Sequence, residues 1–98
     1  MDFFVYILYS ESIDSYYKGQ TSDLEDRLHR HNSGYEKATK SGTPWKLIWC
    51  TQKATRSEAL ILEKKLKNLS REKIVQFVEK YAAESRALML RLGLRSGY

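Results

Sequence analysis

Residues 3–9, Phe-Phe-Val-Tyr-Ile-Leu-Tyr, are apolar or aromatic without interruption. A β-branched and aromatic run of this length, with no polar residue alternating into it, reads as a strand largely buried on both faces. The mostly polar stretch from Ser10 to Ser15 reads as a turn, and Tyr16-Tyr17-Lys18-Gly19-Gln20 as the returning strand of a hairpin. A chain of 98 residues built on such a hairpin has room for one domain and one modest core.

The remainder alternates between helix signals and one more strand. Ser22 followed by Glu25 has the pattern of a capping box ahead of a first helix, and Gly34 is a natural stop for it. Residues 34–45 are loop-like, with Gly34, Gly42 and the sole proline, Pro44, around Lys37, Thr39 and Lys40. Strand three begins at Trp45 or Lys46. Thr55 with Glu58 opens a second helix, and Ser70 can cap a third. Strands are expected near 3–9, 15–20 and 46–51, and helices near 23–33, 56–69 and 71–83. The fold class this implies is α+β: a small three-stranded, mainly antiparallel sheet flanked by helices. Residues 1–83 are expected to form the domain. Residues 84–98 form a basic, Leu-rich tail that is a helical extension, a self-association element or a frayed end.

The net charge of +5 is unevenly spread. Residues 1–36 hold seven acids against three bases, whereas residues 37–98 hold fourteen bases against five acids. A basic C-terminal two-thirds suits an anionic partner, nucleic acid foremost; a solvated Lys-rich helical surface is the plain alternative. Cys50 is the only cysteine, so one chain forms no disulfide or Cys-type zinc site, and its apolar surroundings suggest a buried thiol. No apolar run has the length of a membrane span and no basic signal region opens the chain, which points to the cytoplasm.

Three polar residues sit where apolar ones are expected. At roughly 100° per residue, Leu24, Arg27, Leu28 and His31 share one arc of the first helix. In the second helix Glu63 projects between Ala59 and Leu60, beside an arc of Ala59, Leu62, Leu66 and Leu69. A carboxylate on a core-facing surface needs a cation nearby. A structural Glu63–Arg27 ion pair would answer that need, and so would a shared cleft that also takes in Tyr6 and Tyr17 from the hairpin.

The whole series resembles the GIY-YIG nucleases over residues 3 to about 78. Val5-Tyr6-Ile7 matches the first motif, with Phe4 where the name-giving glycine stands, and Tyr17-Lys18-Gly19 matches the second, with lysine for isoleucine. Residues 19–28, with Arg27 at the catalytic arginine, resemble the helix-one block. Residues 58–63 resemble the glutamate block, with Glu63 as metal ligand. His31-Asn32-Ser33-Gly34 and Pro44-Trp45-Lys46-Leu47 look like the small stand-alone bacterial, UPF0213-like subgroup. One departure is the asparagine that many members carry about a dozen residues past the glutamate, where this chain has Ile74-Val75-Gln76.

The resemblance implies a metal-dependent endonuclease hydrolysing DNA phosphodiesters, with RNA as the alternative substrate, directed by structure and not by sequence. Its site would comprise Tyr6, Tyr17, Arg27, His31 and Glu63, with one Mg²⁺ or Mn²⁺ on Glu63. Tyr6 and His31 are then rival bases. A phenol of ordinary pKa about 10 would have to be lowered by nearby cations to serve. Lys18, Lys37, Lys40 and Lys46 would contact phosphates, which position a strand without reading it. The alternative is a nucleic-acid-binding module that keeps the fold without useful catalysis. A third reading is an interaction protein docking on a protein partner or on itself through the tail.

Overall fold

The computed structural model describes residues 2–94. Three strands, β1 (Phe3–Ser10), β2 (Ser15–Thr21) and β3 (Trp45–Lys53), pair in the order β2-β1-β3, both pairings antiparallel. β1 is therefore the central strand, and this explains its unbroken apolar sequence. Val5, Tyr6, Ile7 and Leu8 are all 0% exposed. Phe4, Tyr6 and Leu8 face a layer made of α1 (Leu24–Asn32) and α4 (Ala82–Leu92). Val5 and Ile7 face the opposite layer, α2 (Arg56–Lys67) and α3 (Arg71–Lys80). The α+β class and antiparallel sheet expected from sequence are what the chain forms.

A bulge in β3 decides which of its side chains enter which layer. Ile7 pairs with Trp49 but Leu8 pairs with Leu47, so Ile48 has no partner on β1. The extra residue shifts the two-residue alternation. Trp45, Leu47 and Cys50 consequently share the layer of Tyr6, while Ile48 and Trp49 pack on the other.

The helix ends show how far local sequence governs. Half of the second capping box forms: the Glu58 amide donates to Thr55 Oγ1 at 3.2 Å, while the Glu58 carboxylate accepts from the Thr55 hydroxyl at 3.0 Å and not from its backbone amide. Ser70 caps α3 by accepting from the Lys73 amide. The first capping box does not form. Asp23 is the cap of α1, its carboxylate accepting from the Asp26 amide at 3.1 Å. Thr21 accounts for the shift, because its Oγ1 accepts from the Asp23 amide at 3.1 Å and holds the chain extended past Ser22. Gly34, at φ +77°, terminates α1 as expected.

The C-terminal third departs most from the sequence reading. α3 stops at Lys80, the chain bends at Tyr81, and α4 crosses to the other face of the sheet. Leu88, Met89 and Leu94 join Leu24 and Leu28 in one cluster, and Ser85 Oγ accepts from the Cys50 amide at 2.9 Å. A boundary between residues 83 and 84 thus runs through a packed helix. Within residues 84–94, Ser85, Leu88, Met89 and Leu94 are buried in the domain, and the rest of the expected tail, 95–98, lies outside the described residues. Cys50 is 1% exposed, with burial pushing its thiol up to about 11, as fits a small core residue.

Candidate active site

Tyr6 is an unusual core residue because its ring must cross the neighbouring strand. Register places Tyr6 opposite Gly19, the glycine of β2. A Cβ on that glycine would stand 2.6 Å from the Tyr6 phenol oxygen and 2.7 Å from the ring. Gly19 therefore serves as floor: the phenol lies over the bare backbone of the edge strand and reaches His31. Tyr6 Oη and His31 Nε2 are 2.8 Å apart. Tyr17, also on this face, sets its ring edge-on to the His31 imidazole, centroids 4.9 Å apart, and 6.4 Å from the Tyr6 ring.

His31 lies on the buried arc of α1 and is 1% exposed. Its second nitrogen, Nδ1, is 2.8 Å from Thr39 Oγ1. Thr39 is itself 0% exposed and sits just ahead of the short 3₁₀ turn Lys40–Gly42. Trp45 fastens that turn, since its indole N–H donates to the Thr39 carbonyl at 2.7 Å. Asn32 holds Trp45 in return: its side chain accepts from the Trp45 amide at 2.6 Å and donates to the Trp45 carbonyl at 3.1 Å. Gly42 lets the loop close under the indole, because a Cβ there would overlap the Trp45 ring.

The charges around the phenol oppose one another. Burial raises the Tyr6 pKa well above the usual phenol range, and Tyr17 and Glu63 push the same way. The Arg27 guanidinium beside it pulls down without prevailing. The expectation that neighbouring cations lower this phenol is therefore corrected: desolvation outweighs one guanidinium. Burial also lowers the His31 pKa, with Arg27 and Arg30 acting alongside it and Glu36 opposing. A neutral imidazole thus faces a neutral phenol, and the two groups expected as rival bases are hydrogen-bonded partners.

Glu63 lies on α2, in the opposite layer, yet its charge registers at the Tyr6 phenol. Its carboxylate pairs with Lys67 at 3.4 Å, and no ion pair joins it to Arg27 among the described residues. The structural Glu63–Arg27 bridge is accordingly absent there, and the Arg27 guanidinium lies beside the Tyr6 phenol instead. Tyr6, Tyr17 and His31 are thus packed together with Arg27 beside the phenol, whereas Glu63 acts on that phenol only through its charge, from the opposite layer. The four lysines do not behave alike. Lys37 and Lys40 are exposed on the loop. Lys46 is held by Glu11 at 2.5 Å. Lys18 faces the α2 layer, where burial and the nearby Lys67 lower its pKa. Sequence reasoning did not give Thr39, Asn32 or Trp45 a part in this neighbourhood. Its one available signal was the placement of Thr39 between two glycines in a loop that must return to β3.

The family model for the GIY-YIG catalytic domain matches residues 2–82. A UPF0213 protein of Haloquadratum walsbyi is 40% identical over 77 residues, 78% of this chain and 85% of that protein. One of Listeria innocua is 38% identical, covering 85% of this chain and 92% of its own. The solution NMR structure of the UPF0213 protein BH0048 from Bacillus halodurans superposes with a TM-score of 0.54 at 35% identity, covering 81% of this chain and 84% of that one. Among the described residues no helix is long and apolar enough to cross a membrane.

Proposed function

The chain belongs to the GIY-YIG family, of the nuclease superfamily, and from that premise we propose that it is a divalent-metal-dependent endonuclease acting on DNA. The observation that carries the reading is the Tyr6–His31 hydrogen bond at 2.8 Å, set beside the Arg27 guanidinium, which makes no ion pair among the described residues, and within the field of Glu63. A phenol, an imidazole and a guanidinium gathered in one part of a core, with a carboxylate acting on the phenol, form a pattern that clusters at functional sites.

Glu63 would hold the metal. Among the described residues no three His, Cys, Asp or Glu side chains cluster around a cage. A single carboxylate fits a hard cation such as Mg²⁺ or Mn²⁺, which keeps most of its waters and takes phosphate oxygens. When bound, such an ion stabilises the leaving 3′ oxygen and the charge on phosphorus.

The chain's own groups do the rest. Arg27 grips a non-bridging phosphate oxygen with its planar fork, a contact that strengthens as negative charge accumulates. His31 Nε2 takes the Tyr6 phenol proton as the phenol oxygen takes one from the attacking water, so that no free phenolate stands in the buried site. The water oxygen bonds to phosphorus, the P–O3′ bond breaks, and the departing oxygen is protonated by solvent. The water's proton replaces the one Tyr6 gave up, so the net transfer is from water to His31. Proton transfer in a positioned pair of this kind contributes about 10²–10⁴-fold to rate. Tyr17 packs the imidazole against the phenol and limits water around both. Lys37 and Lys40 supply phosphate contacts without sequence readout.

The second reading, a binding module with little catalysis, draws on the raised phenol and on the Lys67 partner that Glu63 already holds. Cleavage of branched and single-stranded DNA with Mn²⁺, beside a Glu63→Gln control, decides between them. Metal-dependent nicking lost in the variant supports the enzyme. Salt-sensitive binding without nicking supports the module.

A further inference from the structure

We infer that Thr39 is a positioning residue, one that fixes His31 as the Nδ1–H tautomer and so keeps Nε2 bare to receive the Tyr6 proton. The inference follows from counting donors and acceptors in a buried chain of four groups. Tyr6, His31 and Thr39 are each no more than 1% exposed, so their polar hydrogens must be satisfied within the protein. The Thr39 hydroxyl has one hydrogen, and the Glu36 carbonyl stands 3.4 Å away to accept it. That leaves the Thr39 oxygen lone pairs for His31 Nδ1 at 2.8 Å, which must then carry the proton. Nε2 is bare, and the Tyr6 O–H donates to it at 2.8 Å. In this arrangement every hydrogen has an acceptor.

The reverse tautomer fails the same count. Nε2–H would donate to Tyr6, and the phenol hydrogen would need another acceptor. The Arg27 guanidinium beside the phenol has only donors to offer. An orphaned hydroxyl hydrogen in a site this buried carries a full desolvation penalty. The loop is built to hold the acceptor in place: Trp45 Nε1 donates to the Thr39 carbonyl at 2.7 Å, and Asn32 clamps the Trp45 backbone from both sides. The last turn of α1, the loop and the start of β3 thus converge on the orientation of one hydroxyl.

The consequence for cleavage rests on the nuclease reading, but the tautomer is a property of the free protein and is measured without substrate or metal. Long-range ¹H–¹⁵N correlation spectra of the full chain, recorded where His31 is neutral, distinguish a protonated from a bare ring nitrogen. The chain has two histidines, and a His29→Gln variant assigns the signals. The expected result is a protonated Nδ1 and a bare Nε2 on His31, retained in Thr39→Ser and lost or averaged in Thr39→Val. Nicking should fall by about 10²-fold in Thr39→Val and stay within a few-fold in Thr39→Ser, as a lost acid–base contribution requires. A protonated Nε2 in the parent overturns the inference, as does an unchanged tautomer in a natively folded Thr39→Val. Should that variant not fold, the parent and Thr39→Ser spectra still decide. A parent with the expected tautomer and no nicking counts against the nuclease reading alone.

Discussion

Gly19 lies directly across the antiparallel pair from Tyr6, and the phenol oxygen occupies the space a Cβ would need, 2.6 Å from its ideal position. The glycine is therefore matched to a side chain on the neighbouring strand, and its own backbone shows no left-handed conformation. Gly19→Ala should push the phenol off His31. An overpacked core methyl costs about 1–3 kcal/mol. At about 4–8 °C per kcal/mol for a domain near this size, the melting temperature should drop measurably. Nicking should fall further than stability does, because the displaced group is the one proposed to handle the proton. An alanine variant with parental melting and parental cleavage would contradict the close approach.

Glu63→Gln separates catalysis from scaffolding. Its partner in the structure is Lys67, a pair spaced i,i+4 whose lysine is 55% exposed. Such pairs contribute about 0.3–0.5 kcal/mol, so thermal unfolding should barely change. Metal-dependent cleavage should vanish, while DNA binding holds or improves through loss of a negative charge. A large loss of stability would return Glu63 to a structural role.

The fold and the neighbourhood were readable in the sequence to different depths, for physical reasons. An uninterrupted apolar β1 announces burial on both faces, and Arg27, His31 and Glu63 announce themselves by interrupting apolar stripes. Ile48 gives no such signal, because a bulge at a β-branched residue looks like any other strand position. The bend at Tyr81 carries neither glycine nor proline, so the helix expected over 71–83 runs past the true end of α3 at Lys80. Leu88, Leu90, Leu92 and Leu94 repeat every second residue, which hides the helical arc on which Leu88 and Met89 are buried while Leu90 is 80% exposed. Thr39 was hidden by its company, since threonine is ordinary in a loop with glycine and proline. The direction of the Tyr6 shift was beyond reach because cations can be counted in a sequence and desolvation cannot.

α4 makes a stability prediction that a tail would not. Leu88 is 5% exposed among Leu24, Leu28 and Trp45. Leu88→Ala should cost about 2–5 kcal/mol, the usual range for a buried leucine. Leu90→Ala, at a solvent-facing position of the same helix, should stay within about 0.5 kcal/mol. Urea unfolding of the two variants checks the contrast, and equal effects would mean that α4 is not docked as described.

His31 should give the protein an acid-side weakness. Its folded pKa lies below the ordinary value of about 6.5. Its neutral form is thus favoured on folding, and its contribution is complete above that value and lost as pH falls through the folded pKa. The groups facing it are Tyr6, Tyr17, Arg27, Arg30 and Glu36. His31→Gln should flatten the decline in melting temperature between neutral pH and pH of about 5, removing at most about 1.4 kcal/mol per pH unit. Nicking by the parent should fall over the same limb, because a protonated Nε2 cannot accept from Tyr6. Parallel stability curves for parent and variant would count against a buried neutral imidazole.

The lysines should separate by salt dependence. Each phosphate neutralised contributes about −0.9 to the slope of log affinity against log salt for duplex DNA, and about −0.7 for a single strand. Lys37 and Lys40 are exposed and take part in no ion pair among the described residues, so replacing either by alanine should reduce the slope by nearly that amount. Lys46 must first release Glu11, held at 2.5 Å, before it meets a phosphate. Lys46→Ala also leaves the Glu11 carboxylate uncompensated, which repels the strand at longer range while changing the number of released counterions little. It should therefore lower affinity at low salt with a smaller change in slope. Fluorescence anisotropy of a labelled oligonucleotide across a salt series measures all three. A slope change for Lys46→Ala as large as that for Lys37→Ala would show that the ion pair opens freely on binding and that Lys46 acts as a full phosphate contact.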